Sequence, residues 1–140
     1  MSERENAAAA TAQSARKRVL DVGQCPPDHF ALRRLLEGMG AEVVQSHTLA
    51  DTVAQLRAGR FDLVLINRKL DIDYSDGMVI LEHLKRHAET REIPVMLVSN
   101  YPEAQAEAVA AGAEPGFGKA QLGAAETRQR LERVLGGRPA

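Results

Sequence analysis

The stretch Asp62–Leu81, DLVLINRKLDIDYSDGMVIL, leaves an apolar run at Asn67 and passes two cations, Arg68 and Lys69, and three carboxylates, Asp71, Asp73 and Asp76. Amide, cation and acid in one short loop could do three things: hold a divalent cation, attract an anion, or carry a nucleophile. Spacing tests the first. Counted from Asp71, the oxygen-bearing side chains Asp71, Asp73, Ser75 and Glu82 stand at positions 1, 3, 5 and 12 of a calcium loop. Position 6 of such a loop must be glycine, but Asp76 stands there and Gly77 comes one late. A helix should also precede the loop, and here an apolar strand pattern does. A solvated acidic turn, with Asp76 capping the next helix, fits better than a cation site over 71–82.

Other candidates are weaker. Arg68, Lys69 and Lys119 could form a cationic rim that suits an anion or an acidic partner peptide; solvated loop charges are the plainer reading. His83 and His87 have the i, i+4 spacing of metal ligands. No third ligand accompanies them, and the apolar positions Ile80, Leu81 and Leu84 turn them toward solvent. No metal site is expected. Cys25 precedes Pro26-Pro27 at a helix start, where a thiol can be activated or merely accommodated.

The elements that position these residues alternate. Short Val/Ile/Leu-rich runs at Val19–Val22, Glu42–Val44, Phe61–Ile66 and Pro94–Val98 read as strands buried on both faces, with a weaker strand near Pro115–Lys119. Helical spacing lies between them: Leu32, Leu35, Leu36 and Met39 before Gly40; Leu49, Val53 and Leu56 behind a Thr48/Asp51 capping box; Ile80, Leu81 and Leu84 after Asp76. Pro102 opens a fourth helix that Gly112 ends, and Leu131, Val134 and Leu135 mark a fifth. Alternating strands and helices predict an α/β three-layer sandwich. The best fit is a flavodoxin-like, doubly wound parallel sheet of order 2-1-3-4-5, with its site outside the carboxyl ends of the strands. The residues to read are therefore the strand tips: Gly23, Gln24 and Cys25; Asn67 and Arg68; Ser99 and Asn100; Gly118 and Lys119.

The chain has 140 residues, 44% of them hydrophobic, and a formal net charge of -1, which suits one globular core. There is no basic excess for nucleic acid. No apolar run approaches the roughly 18 residues of a membrane span. The start MSERENAAAATAQSARKR does not read as a signal peptide, and a cytoplasmic protein is expected. The single Cys25 excludes an internal disulfide and a cysteine-based zinc site. The expected organisation is a mobile tail over 1–15, one domain over 16–136 and a frayed end over 137–140.

Over residues 17–135 the chain resembles a bacterial response-regulator receiver domain: KRVLDVGQCPPD at the first strand, GRFDLVLIN at the third, DGMVILEHLKR at the third helix, IPVMLVSN at the fourth strand and AGAEPGFGKA at the fifth. In that family a third-strand Asp accepts a phosphoryl group from a histidine kinase, two acids after the first strand help hold Mg²⁺, and a Thr or Ser and a Lys contact the phosphoryl oxygens. Ser99 and Lys119 match. The acceptor position holds Asn67, however, and Gly23 and Gln24 replace the acid pair. Gly116 stands where an aromatic residue is common, Ala120 follows the lysine in place of proline, and the loop after Asn67 is two residues longer.

The resemblance, with these departures, implies a pseudo-receiver with a degenerate acceptor pocket of Gly23, Gln24, Asn67, Ser99 and Lys119. It implies no reaction, no cofactor and no metal. The expected role is phosphorylation-independent signalling through protein partners, as a monomer or a weak homodimer through the side formed by helix 4, strand 5 and helix 5. Arg68, Lys69, Tyr101, Phe117 and Leu122 are the candidate interaction surface. Asp21 interrupts the first strand and alternates to the same side as Gly23, which predicts a buried acid below the pocket, held by Lys119 or backbone donors. The alternatives are a Mg²⁺-dependent receiver using a displaced acid, Asp71 or Asp73, and a cation- or small-ligand-sensing domain using the loop 71–82.

Overall fold

The computed structural model describes residues 16–136; the expected tail over 1–15 and the frayed end over 137–140 lie outside them. Five strands, β1 (Arg18–Val22), β2 (Glu42–Ser46), β3 (Leu63–Asn67), β4 (Val95–Val98) and β5 (Glu114–Phe117), form one sheet in the order β2-β1-β3-β4-β5. All neighbours pair in parallel, as sequence alternation predicts. Five α-helices connect or follow the strands: α1 (Pro26–Gly38), α2 (Leu49–Ala58), α3 (Gly77–Arg86), α4 (Pro102–Ala110) and α5 (Ala125–Leu135).

The period of two along each strand divides the core. Leu20, Val22, Val64, Ile66 and Leu97 face α3 and α4, where Ile80, Leu81, Leu84 and Ala108 close the layer. Val19, Leu63, Leu65, Met96 and Val98 face α1 and α5, against Leu32, Leu36 and Leu131. Asp21, on the alternation of Val19, points into this second, otherwise apolar layer.

Helix starts follow their sequence signals. Thr48 and Asp51 form the reciprocal capping box of α2, and the Asp76 carboxylate accepts from the Met78 N–H at 2.8 Å. The most buried position of α2 is Thr52, while Leu49 and Leu56 are only partly buried; the Thr52 hydroxyl bonds the Ser46 hydroxyl at 2.8 Å, which satisfies both. The strand bounds differ from expectation by one or two residues: β1 begins at Arg18, β2 runs on to Ser46 and β4 begins at Val95. β3 begins at Leu63 because Phe61 leaves the ladder to pack under the Arg18 guanidinium, 4.3 Å from the ring centre. β5 ends at Phe117 and Lys119 opens a 3₁₀ turn; the β4–β5 register shifts between Met96 and Val98.

Candidate functional site

At the tip of β3 the Asn67 side-chain amide donates to the Gly23 carbonyl at 3.0 Å. The Asp71 N–H donates to the same carbonyl at 2.9 Å. Gly23 has φ +78, and a Cβ there would lie 2.5 Å from Leu70 Cδ2. Leu70, 4% exposed, therefore sits on the face that a side chain at position 23 would occupy. Leu70, in the loop after Asn67, takes the space that any side chain at position 23 would need.

Gln24 is fully buried, and neither atom of its amide has a partner; Asp21 Oδ1 is in the same condition. Asp21 Oδ2 meets His29 Nδ1 at 2.7 Å. This corrects the expected pairing: Asp21 is buried, but α1 holds it through His29, and Lys119 exerts only a weaker, longer-range pull. Burial pushes the Asp21 carboxyl up from its ordinary value, against the lowering effect of His29.

Lys119 Nζ instead reaches Asp28 Oδ2 at 2.7 Å, and the Cys25 thiol donates to the same oxygen at 3.1 Å. The hydrogen bond from Lys119 is the largest influence holding Asp28 below the usual carboxylate range. Asp28 and His29 thus tie the first turn of α1 to the end of β5 and to the middle of the sheet. A cavity of about 270 Å³ lies beside Lys119, lined among others by Asn67, Arg68, Lys69, Ser99 and Tyr101. Gly23 and Gln24 do not line it, which corrects the five-residue pocket: three of those residues meet there, while Gly23 lies under Leu70 and Gln24 is buried. Asp71 and Asp73 do not line it either. Asp71 faces His47 at 3.4 Å, and Asp73 accepts from the Ser75 N–H at 2.9 Å. Of the two rim cations, Arg68 is paired with Asp76 at 2.6 Å, whereas Lys69 is exposed.

The proposed interaction surface divides in the same way. Tyr101 is 65% exposed, but Phe117 is 1% exposed and belongs to the core, which corrects its assignment. Leu122 is half-buried against the α1/α5 layer. Gly116 has no side chain because one would collide with the Leu97 carbonyl. Gln105 fills that space: its amide donates to the Leu97 carbonyl at 2.9 Å and the Ser99 carbonyl at 3.1 Å, and accepts from the Gly116 N–H at 3.0 Å. Replacing Gln105→Ala should leave these backbone groups unpaired and lower stability by about 1–3 kcal/mol. A denaturant midpoint equal to that of the parent would contradict the role.

His83 and His87 stack at 4.0 Å between ring centres on α3. Among the described residues, no group of three or more His, Cys, Asp and Glu side chains is arranged to hold a metal ion. No helix among them is long and apolar enough to cross a membrane. Sequence reading missed Asp28, His29, Leu70 and Gln105. Only Leu70 left a visible signal, a lone large apolar residue between Lys69 and Asp71.

No family model matches the chain, and no curated protein matches it. Solved structures do. The chemotaxis protein CheY4 of Vibrio cholerae is 19% identical with a TM-score of 0.67, over 86% of this chain and 99% of that one. The signal receiver domain of a signal transduction histidine kinase from Syntrophus aciditrophicus is 23% identical with a TM-score of 0.64, over 89% and 95%. A sensor protein from Polaromonas sp. JS666 is 20% identical with a TM-score of 0.69, over 86% and 97%. The chain has the fold of response-regulator receiver domains.

Proposed function

We propose that the chain is an atypical receiver domain that acts in two-component-type signal transduction through protein–protein contact, without aspartyl phosphorylation and without catalysing a reaction. One observation carries the reading. The Asn67 amide donates to the Gly23 carbonyl while Leu70 covers Gly23. A carboxylate at position 67 would set one oxygen against another there, and an acid at 23 would meet the leucine. The acceptor and a metal ligand are thus absent together, and their places are filled. The exposed Tyr101, at the start of α4, supports partner binding or weak self-association on the side formed by α4, β5 and α5.

Amide shifts recorded with Mg²⁺ and beryllofluoride test the reading. Residues around Ser99 and Lys119 should stay unmoved. Large movements there, or at Asp71 and Asp73, would instead support a Mg²⁺-dependent receiver with a displaced acid.

A further inference from the structure

The loop that buries Leu70 also presents two large apolar side chains outward: Ile72 is 59% exposed and Tyr74 79%. Val79, on the first turns of α3, is 56% exposed. The loop is held in this shape. Tyr74 has φ +60, the one non-glycine positive φ among the described residues, and its N–H donates to the Leu70 carbonyl at 2.8 Å. The Leu70 N–H donates in turn to the Ser75 carbonyl at 2.9 Å. A bulky residue at positive φ is disfavoured, and here burial of Leu70 and these hydrogen bonds maintain it while its ring projects into solvent.

Below the loop, Leu49, Leu70, Asp73, Val79 and Ile80 line part of a cavity of about 220 Å³, the scale of one or two aliphatic side chains. The charge around it is acidic. Asp71 and Asp76 are engaged by His47 and Arg68, leaving Asp73, Glu82 and the exposed Lys69 without an ion pair among the described residues, two acids to one cation. Glu82 stands one turn on from Val79 on α3. Loop and helix surface build this patch and offer no strand edge, so an added β-strand has nothing to pair with.

We propose that this patch is a docking groove for an amphipathic helix of a partner protein, with apolar side chains against Ile72, Tyr74 and Val79 and Lys or Arg beside Asp73 and Glu82. The proposal rests on the reading of the chain as a protein-interaction module and names the partner's chemistry. It sets the partner on the α2/α3 side, away from Tyr101. The loop then has two faces: an inner one that covers Gly23, and an outer one that recognises.

The test is amide shift mapping of the full chain with a helical 18-residue peptide of Leu and Lys, and with the same peptide carrying Glu for Lys. The Lys peptide should move residues 70–82 and Leu49, and the Glu peptide should not. Tyr74→Gly, which suits the positive φ, should weaken binding roughly tenfold or more without loss of stability, and Val79→Lys likewise. Equal binding of both peptides, shifts centred elsewhere, or undiminished binding by both variants would overturn the groove. Beryllofluoride shifts at Ser99 and Lys119 would overturn the interaction-module reading separately, whatever the peptides do.

Discussion

Gly23→Asp is expected to lower stability by about 2–5 kcal/mol and to gain no Mg²⁺ affinity. Two costs add. A non-glycine residue in the left-handed region costs roughly 1–2 kcal/mol, and forcing atoms into a filled site costs about 1–3 kcal/mol. Both apply, because Gly23 has φ +78 and Leu70 Cδ2 lies 2.5 Å from where its Cβ would be. Gly23→Ala should show most of the loss, since it keeps the backbone strain and the Cβ contact. Adding Leu70→Ala to Gly23→Asp should relieve the steric part only. Denaturant midpoints of the three variants read these differences. A Gly23→Asp protein as stable as the parent would mean that Leu70 does not fill the site. Asn67→Asp alone would leave Leu70 over Gly23, because loop, glycine and amide pack against one another.

The second large effect lies at His29. Asp21 is fully buried and its one close partner is His29 at 2.7 Å. Removing His29 leaves a buried carboxyl without its hydrogen-bond partner, at about 1–3 kcal/mol. His29→Ala should show that loss at pH 8. Asp21→Asn should stay within about 1 kcal/mol of the parent, because a neutral amide suits a buried site and its oxygen can still accept from His29. The double variant should recover most of what His29→Ala loses.

The pH dependence has a definite sign. Burial raises the Asp21 carboxyl, so the folded state holds its proton more tightly than the unfolded chain. The stability this group contributes is complete below the ordinary carboxylate value and is lost as pH rises through the raised one. Asp28, lowered chiefly by Lys119, behaves oppositely: its contribution is present above the ordinary value and is lost as pH falls through the lowered one. Asp21→Asn should therefore remove a decline of stability with rising pH, and Asp28→Asn should flatten the acid limb. A His29→Ala variant as stable as the parent at pH 8 would contradict the buried pairing.

The α/β alternation, the sheet order and the helix caps at Thr48 and Asp76 were legible in the linear chain. They depend on periodicity and local hydrogen bonding, which neighbours in sequence determine. So were the glycine at 23, the glutamine at 24 and the amide at 67, because residue type alone states them. The partners were not legible. Lys119 and Asp28 are 91 residues apart, and which carboxylate meets that ammonium depends on how the turn after β5 and the first turn of α1 are brought together at the end of the sheet. Phe117 read as a surface aromatic because nothing in a four-residue edge strand says which face turns inward. Gly116 read as a lost aromatic, although the close approach of the Leu97 carbonyl and Gln105 excludes any side chain there. Residue types state which side chain stands at each strand tip. Only the packing of the loop against Gly23 decided that Leu70 covers it, because contacts across the sheet form between segments whose separation carries no local signal.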